Sequence, residues 1–411
     1  MMRRLDTGNT RQWEFDLLRG LMLLLMFVTH MPTRFSSPLG QPLGYVSAAE
    51  GFVLLSAFMA GQLYTKRAQS AGIPAMCHAF FKRARTVYAC HAFLLVCLFS
   101  VIAMVGITLK QTALINLVGY YLRDPWSALP GSLLLIYNPP LLDILPLYIL
   151  LLFASPIVLA LGLRHGWSVI FAVSAVLWLG AQFNLSADLY ALLVEATGLR
   201  VPFNETGSFE TFAWQLLWVT GLWLGAKSAG GAFAVRKPFP RHWVILAGVF
   251  VMVCFFWRHI VGQVPVPQFA DSVLNRLFDK WHLGPLRLLN LAAILLLVVH
   301  CRSWLLAHAP RIGFLEKMGA ASLPVFCTHL GIVLLALSVV GDYTPARLLV
   351  TDVLLMTLGL LALYATAVLT LHLDSIDKAR AHARNMKKKS LSLMEQARRI
   401  AAQRSRKLRG N

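Results

Sequence analysis

Ten runs of apolar residues, each long enough to cross about 30 Å of hydrocarbon as a helix, set the terms for any fold of this chain. They fall near residues 17–33, 43–65, 88–109, 141–162, 168–185, 211–227, 243–262, 285–301, 321–340 and 349–372. A backbone in lipid must satisfy its own hydrogen bonds, so runs of this length become helices. Composition agrees, with 57% hydrophobic and 14% charged residues. The predicted fold class is an all-α, polytopic transmembrane helical bundle of about ten spans. The ambiguous 110–140 connection and the short fifth run leave nine or eleven open. One membrane domain is expected over residues 1–375, followed by a polar, basic tail over 376–411. No internal repeat stands out, which weakens an inverted-repeat transporter.

A net charge of +20 invites a nucleic-acid partner, but its distribution argues against one. With the N-terminus inside, the inner segments hold 28 Lys and Arg and the outer loops hold 8. The positive-inside rule then places both termini in the cytoplasm, and the basicity reflects topology. The tail interleaves Lys and Arg with Leu, Ile, Met and Ala, a pattern for a basic helix on anionic inner-leaflet lipid or for a solvated tail. The first apolar run has no small-residue cleavage site after it and reads as a retained span. The six cysteines show no CxxC spacing, so neither a disulfide framework nor a metal site is expected.

Ionisable residues inside the apolar runs are costly and are functional candidates by default. His30 closes the first run, and Glu50 follows a short loop later, just inside the second. In an antiparallel pair both reach the outer part of the membrane, where a His beside a carboxylate forms a general base and its orienter. Asp16 and Arg19 are three residues apart. Arg19 lies eleven residues before His30, which at 3.6 residues per turn returns to within about 20° of the same face. Arg19 suits the phosphates of an anionic donor arriving from the cytoplasm, although an interfacial pair with Asp16 is the plainer alternative. In the second run Ser47, Glu50, Leu54, Ala57 and Gly61 share a face whose small residues allow close helix approach. Ser56 lies about 120° off that face and reads as packing. Asp143, Arg258, Arg287, Asn290 and His329 add polar groups to later spans. Any one could be structural; together they predict a polar cavity. The outer loops 110–140, 186–210 and 263–284 carry Trp, Tyr and Pro, suited to a wet, aromatic-lined mouth or to interfacial anchoring.

These segments together resemble the OpgC family, within the wide superfamily of integral-membrane acyltransferases. The resemblance covers residues 11–372 and is carried by Glu14-Phe-Asp16-Leu-Leu-Arg19-Gly20, His30 and Ala49-Glu50-Gly-Phe-Val-Leu-Leu-Ser56-Ala-Phe58. Further matches are Asn138-Pro-Pro-Leu-Leu-Asp143-Ile-Leu-Pro-Leu-Tyr148, Leu283-Gly-Pro-Leu-Arg287-Leu-Leu-Asn290 and Ser322-Leu-Pro-Val-Phe-Cys-Thr-His329. One departure is Ser56-Ala57-Phe58, where many superfamily members have Ser-Gly-Phe. The resemblance implies an O-acyltransferase of the bacterial inner membrane that succinylates osmoregulated periplasmic glucans. It implies succinyl-CoA, or another acyl-CoA, as donor substrate and no bound cofactor. It carries over His30 as catalytic base, Glu50 as the acidic residue before a Phe-rich stretch, and the Arg19 motif. In this reading Glu50 fixes the His30 tautomer, Arg19 with Asp16 meets the donor, and Arg287 with Asn290 neutralises a carboxylated acyl group. The expected partners are acyl-CoA, a periplasmic or other extracytoplasmic glycan, and membrane lipid. Two rivals stand beside it. One is a proton-coupled transporter or flippase of a sugar or lipid-linked substrate, with His30 and Glu50 as relay. The other is a non-catalytic partner of a glucan-assembly machine.

Overall fold

The computed structural model describes residues 13–231, 239–261 and 273–408. Expectations for residues 1–12, for part of the 227–242 connection and for the start of the 263–284 loop lie outside the described residues. Among these residues the chain is helical, with one isolated bridge at Leu43–Val46. The main helices are α1 (Trp13–His30), α2 (Ala48–Cys97), α3 (Ile144–His165), α4 (Ser168–Gln182), α5 (Leu185–Thr197), α6 (Thr211–Ala229), α7 (Arg241–Phe256), α8 (Pro285–His300), α9 (Gly313–Ala320), α10 (Ser322–Val339) and α11 (Leu349–Leu408).

Five helices are long and apolar enough to cross a membrane, or up to seven if each of two bent pairs is one span. The apolar runs and helices differ for physical reasons. The helical path from Ala48 to Thr108 covers 61 residues, about 90 Å at 1.5 Å per residue, three times the hydrocarbon thickness. It breaks at Gly72, whose φ of 84° and ψ of 166° are not helical, and Pro74 follows. Proline clashes with the preceding turn, so 48–71 and 73–97 are two arms. The fifth run likewise does not stop where its apolarity does. Asn184 takes a left-handed φ of 61°, and the chain turns by 82° from α4 into α5, a helix over much of what reads as the loop 186–210. α8 bends by 64° into Arg302–His308. α1 falls outside the apolar count because Glu14, Asp16 and Arg19 sit within its 18 residues. α11 carries its helix through residue 375 without interruption to Leu408, so the basic tail begins as an extension of the preceding span.

The bundle is built on close backbone contacts. A Cβ added to Gly225 of α6 would lie 2.0 Å from the Phe58 carbonyl oxygen, and one on Gly61 of α2 would lie 2.3 Å from that of Leu222. The small-residue face read in the second run therefore packs as expected, with α6 against α2. α1 meets α9 in the same manner: a Cβ on Gly20 would lie 2.0 Å from the Leu315 oxygen, and one on Gly319 would lie 1.8 Å from the Asp16 oxygen. In lipid, where the hydrophobic effect does not press helices together, such approach lets dispersion forces act over long stretches. Large apolar side chains also point outward, among them Val249, Met252 and Phe256 of α7 and Leu354, Leu358 and Leu361 of α11. A chain apolar inside and out is a membrane protein. Beyond His30, Arg34 pairs at 2.8 Å with the fully buried Asp352 of α11. Arg347 donates to the Pro32 and Val340 carbonyls at 2.5 and 2.9 Å. These bonds fix the end of α1 where His30 stands.

Candidate active site

His30 occupies the last position of α1, and α10 brings His329 alongside it. His30 Nδ1 lies 3.0 Å from His329 Nε2, with the rings 7° from parallel. His329 is fully buried and set edge-on to Phe27 and Phe326, whereas His30 is half-buried. A neutral imidazole carries one donor and one acceptor, so only one of the two facing nitrogens bears the proton. If His30 Nδ1–H donates, its Nε2 is an unprotonated base. Should that nitrogen take up a proton, Nδ1–H still donates to His329. His329 therefore orients His30 in the position where a carboxylate was expected. His329 Nδ1 is buried without a hydrogen-bond partner among the described residues.

Glu50 is placed differently from the sequence expectation. It does not pair with His30. Its Oε1 accepts from Arg287 Nη1 at 2.6 Å, with both side chains buried. Its Oε2 accepts from the Ser47 backbone N–H at 3.0 Å and from the Ser47 hydroxyl. Ser47 and Glu50 thus form a capping box at the start of α2, which satisfies donors that a helix start otherwise leaves unpaired. The guanidinium expected to meet an acyl carboxylate is likewise occupied, since Arg287 Nε donates to the Phe278 carbonyl at 3.0 Å. Asn290 Oδ1 accepts from the Tyr45 backbone N–H at 3.0 Å, and the adjacent Arg258 Nε donates to Gln41 at 2.7 Å. Glu50 with Arg287 ties α2 to α8, and Asn290 and Arg258 hold the loop that leads into α2. The reason is electrostatic: a buried carboxylate is tolerated beside a guanidinium, and a neutral imidazole offers it far less.

Arg19 and Ser56 do share a pocket. It is a narrow space of about 30 Å³ between α1, α2, α3 and α10, with Arg19, Ser56, Arg83, Tyr148 and Ser322 supplying its polar atoms. Arg19 donates to the Ser322 hydroxyl. Phe52 and Phe326 also line it, stacked at 5.8 Å, and Phe326 touches His329. Phe326 thus stands between the arginine pocket and His329. Arg83 went unread in the sequence, where Lys82-Arg83-Ala84-Arg85 looks like one more inner basic cluster. Only its helix position against α3 shows that it turns into the bundle. Asp16 is buried near the far end of α1 from His30.

Asp143 belongs to a second, larger cavity of about 430 Å³, walled by Asn138, Tyr190, Phe203, Phe209, Glu210 and His282 among others. Leu147 lines both cavities. Asp143 Oδ2 accepts from the Ser208 backbone N–H at 3.0 Å, and the side chain is buried. Asn138 Nδ2 donates to the Thr206 carbonyl at 2.5 Å. Asn138 Oδ1 and Glu210 Oε1 are buried with no hydrogen-bond partner among the described residues. Aromatic faces interspersed with acceptors are the make-up of a polyhydroxylated-ligand site.

Fold and site together define a helical membrane protein with a buried histidine contact, a basic pocket, and an aromatic, acidic cavity. The family model described as OpgC protein matches residues 11–374. The chain belongs to the OpgC family, and with it goes acyltransferase activity in general terms. No curated protein and no solved structure matches it.

Proposed function

We propose that the protein moves an acyl group, succinyl in the first instance, from a cytoplasmic acyl-CoA to a hydroxyl of a periplasmic glucan. The observation that carries this reading is the His30–His329 contact at 3.0 Å, a base and its orienter held at the end of α1. In the full reading the protein has about ten spans in a bacterial inner membrane and both termini in the cytoplasm. The Arg19 and Arg83 pocket then opens toward the donor, and the Asp143 cavity toward the glucan. Arg19 and Arg83 meet donor phosphates, for which a guanidinium fork is well shaped. The glucan stacks on Tyr190, Phe203 and Phe209, and Asn138 and Glu210 accept from its hydroxyls.

In the chemical step His30 Nε2 removes the proton of the attacking hydroxyl as its oxygen bonds the thioester carbonyl carbon. The tetrahedral intermediate collapses, the carbon–sulfur bond breaks, and the thiolate of CoA leaves with the electron pair. The imidazolium returns the proton to that thiolate. His329 holds the His30 Nδ1–H throughout, so proton exchange happens on one nitrogen only. A positioned base is worth about 10²–10⁴ in rate.

The test is mass spectrometry of periplasmic glucans from a deletion strain complemented with wild type or His30→Ala, at matched protein levels in the membrane. The expected result is an acyl mass increment with wild type that the variant lacks. Identical glucans in both strains would exclude His30 catalysis and favour the proton-coupled transporter, which moves its substrate without covalent change.

A further inference from the structure

The turn from Asp279 to Gly284, which leads into α8, is braced on several sides. Asp279 Oδ2 accepts from the His282 backbone N–H at 2.9 Å and contacts His282 Nδ1 at 2.5 Å. The Trp281 carbonyl accepts from the Trp214 indole N–H at 3.0 Å and from the Glu210 backbone N–H at 3.2 Å. Lys280 stands in this rigid turn with its ammonium 4.5 Å from the centroid of the Trp281 ring and 6.0 Å from that of Phe209. Phe209 is also a wall of the larger cavity.

Lys280 makes no ion pair with the described residues. The acidic groups around it are engaged elsewhere, Glu50 by Arg287 and Asp143 by the Ser208 N–H. Burial lowers the ammonium from its usual value, while Glu50 and Asp143 act through space in the opposite sense. Aromatic faces hold a cation in place without cancelling its charge. A cation is thereby held against Phe209, a wall of that cavity, with no ion-pair partner among the described residues. No hydrogen bond joins it to His30, whose ring contacts His329.

We propose that Lys280 receives the carboxylate at the far end of a dicarboxylic acyl group and so sets a preference for anionic over neutral acyl chains. This rests on the acyl-transfer reading above. Lys280 is seated on Trp281 and Phe209 and makes no hydrogen bond to His30, which sets the role apart from that of an oxyanion donor. An oxyanion forms on the carbon under attack and needs its donor within about 3 Å, beside the base. A charge not bonded to the base matches the other end of the acyl chain.

The experiment uses the full chain in lipid nanodiscs with a glucan oligosaccharide as acceptor. It compares kcat/KM for succinyl-CoA and acetyl-CoA in wild type, Lys280→Met and Lys280→Arg, with thermal unfolding of each variant as the folding check. Lys280→Met is expected to lower kcat/KM for succinyl-CoA by about 10- to 100-fold, the worth of a charged contact, chiefly through KM. Acetyl-CoA turnover is expected to hold, and Lys280→Arg to keep most of the preference. An equal loss on both donors points to the oxyanion or to structure and overturns the assignment, as does an unchanged preference. If Lys280→Met does not fold, Lys280→Gln takes its place under the same criteria. A wild type that acylates the glucan from neither donor overturns the acyl-transfer reading itself. A wild type that succinylates while Lys280→Met remains selective removes Lys280 alone.

Discussion

Glu50 shows how a residue with the right chemistry for catalysis is claimed by structure. A carboxylate taken from water into the bundle loses its hydration, and the compensation here is complete: Arg287 on one oxygen, the Ser47 N–H and hydroxyl on the other. Removing one member of a buried ion pair leaves an uncompensated charge and costs about 3–5 kcal/mol, whereas replacing both by apolar or neutral groups is often neutral. Glu50→Gln and Arg287→Met are each expected to lower the unfolding temperature in detergent sharply. The double variant is expected to regain most of the loss and to recover acyl transfer along with it. If the double variant is stable but inactive, Glu50 or Arg287 has a part in the reaction beyond holding α2 to α8. Half of this arrangement was legible in the sequence. Ser47-Ala-Ala-Glu50 is a capping-box pattern that can be read from spacing alone. The other half was hidden, because Arg287 is 237 positions away and no local periodicity joins two such residues. His30 was readable for the opposite reason: it ends an apolar run with nothing local to satisfy it. Its partner His329 was visible as a polar residue in mid-span, though not as the group that faces His30.

At the scale of helices, glycine decides where two backbones meet. Gly20 in the Asp16-Leu-Leu-Arg19-Gly20 segment is explained by packing, since a methyl there would enter the α9 backbone at Leu315. The same holds for Gly319, where an added Cβ would lie 1.8 Å from the Asp16 carbonyl oxygen. Backbone cannot rotate away as a side chain does, so Gly319→Val must separate α1 from α9 and with it displace Arg19 from Ser322. Loss of the folded protein, or a fall in stability beyond the 1–3 kcal/mol typical of overpacking, is expected. Gly248 of α7 is the contrasting case, with nothing within 4 Å of an added Cβ. Gly248→Ala is expected to be neutral or to stabilise by about 0.5–1 kcal/mol through the helix preference of alanine. Thermal unfolding of the two variants in one detergent decides the matter, and equal effects would contradict the packing argument. Apolar runs revealed the helices themselves. They did not reveal where helices break, because Gly72 and Asn184 act through backbone conformation, to which hydropathy is blind.

The whole molecule has two unlike ends, and the chemistry depends on which faces which compartment. At the His30 end lie Asp143, Lys280 and the aromatic cavity; Arg19, Arg83 and the long basic extension of α11 lie toward the other. A polytopic protein orients with its Lys- and Arg-rich segments in the cytoplasm, and 28 of these residues against 8 is a strong bias. An acyl-CoA is confined to the cytoplasm by its charge, so the arginine pocket must open there for the proposed reaction to have a donor. In a cysteine-free background, Trp126→Cys tests the His30 end, since Trp126 is 88% exposed between α2 and α3. Ser375→Cys, exposed on α11, tests the other. A membrane-impermeant maleimide added to spheroplasts is expected to label residue 126 at once and residue 375 only after permeabilisation. The reverse pattern would put the arginine pocket on the side that holds no acyl-CoA and exclude the transfer across the membrane. Labelling of both from outside would mean an even number of spans between them. The helical path on α11 would then need one crossing fewer or more than the apolar runs provide.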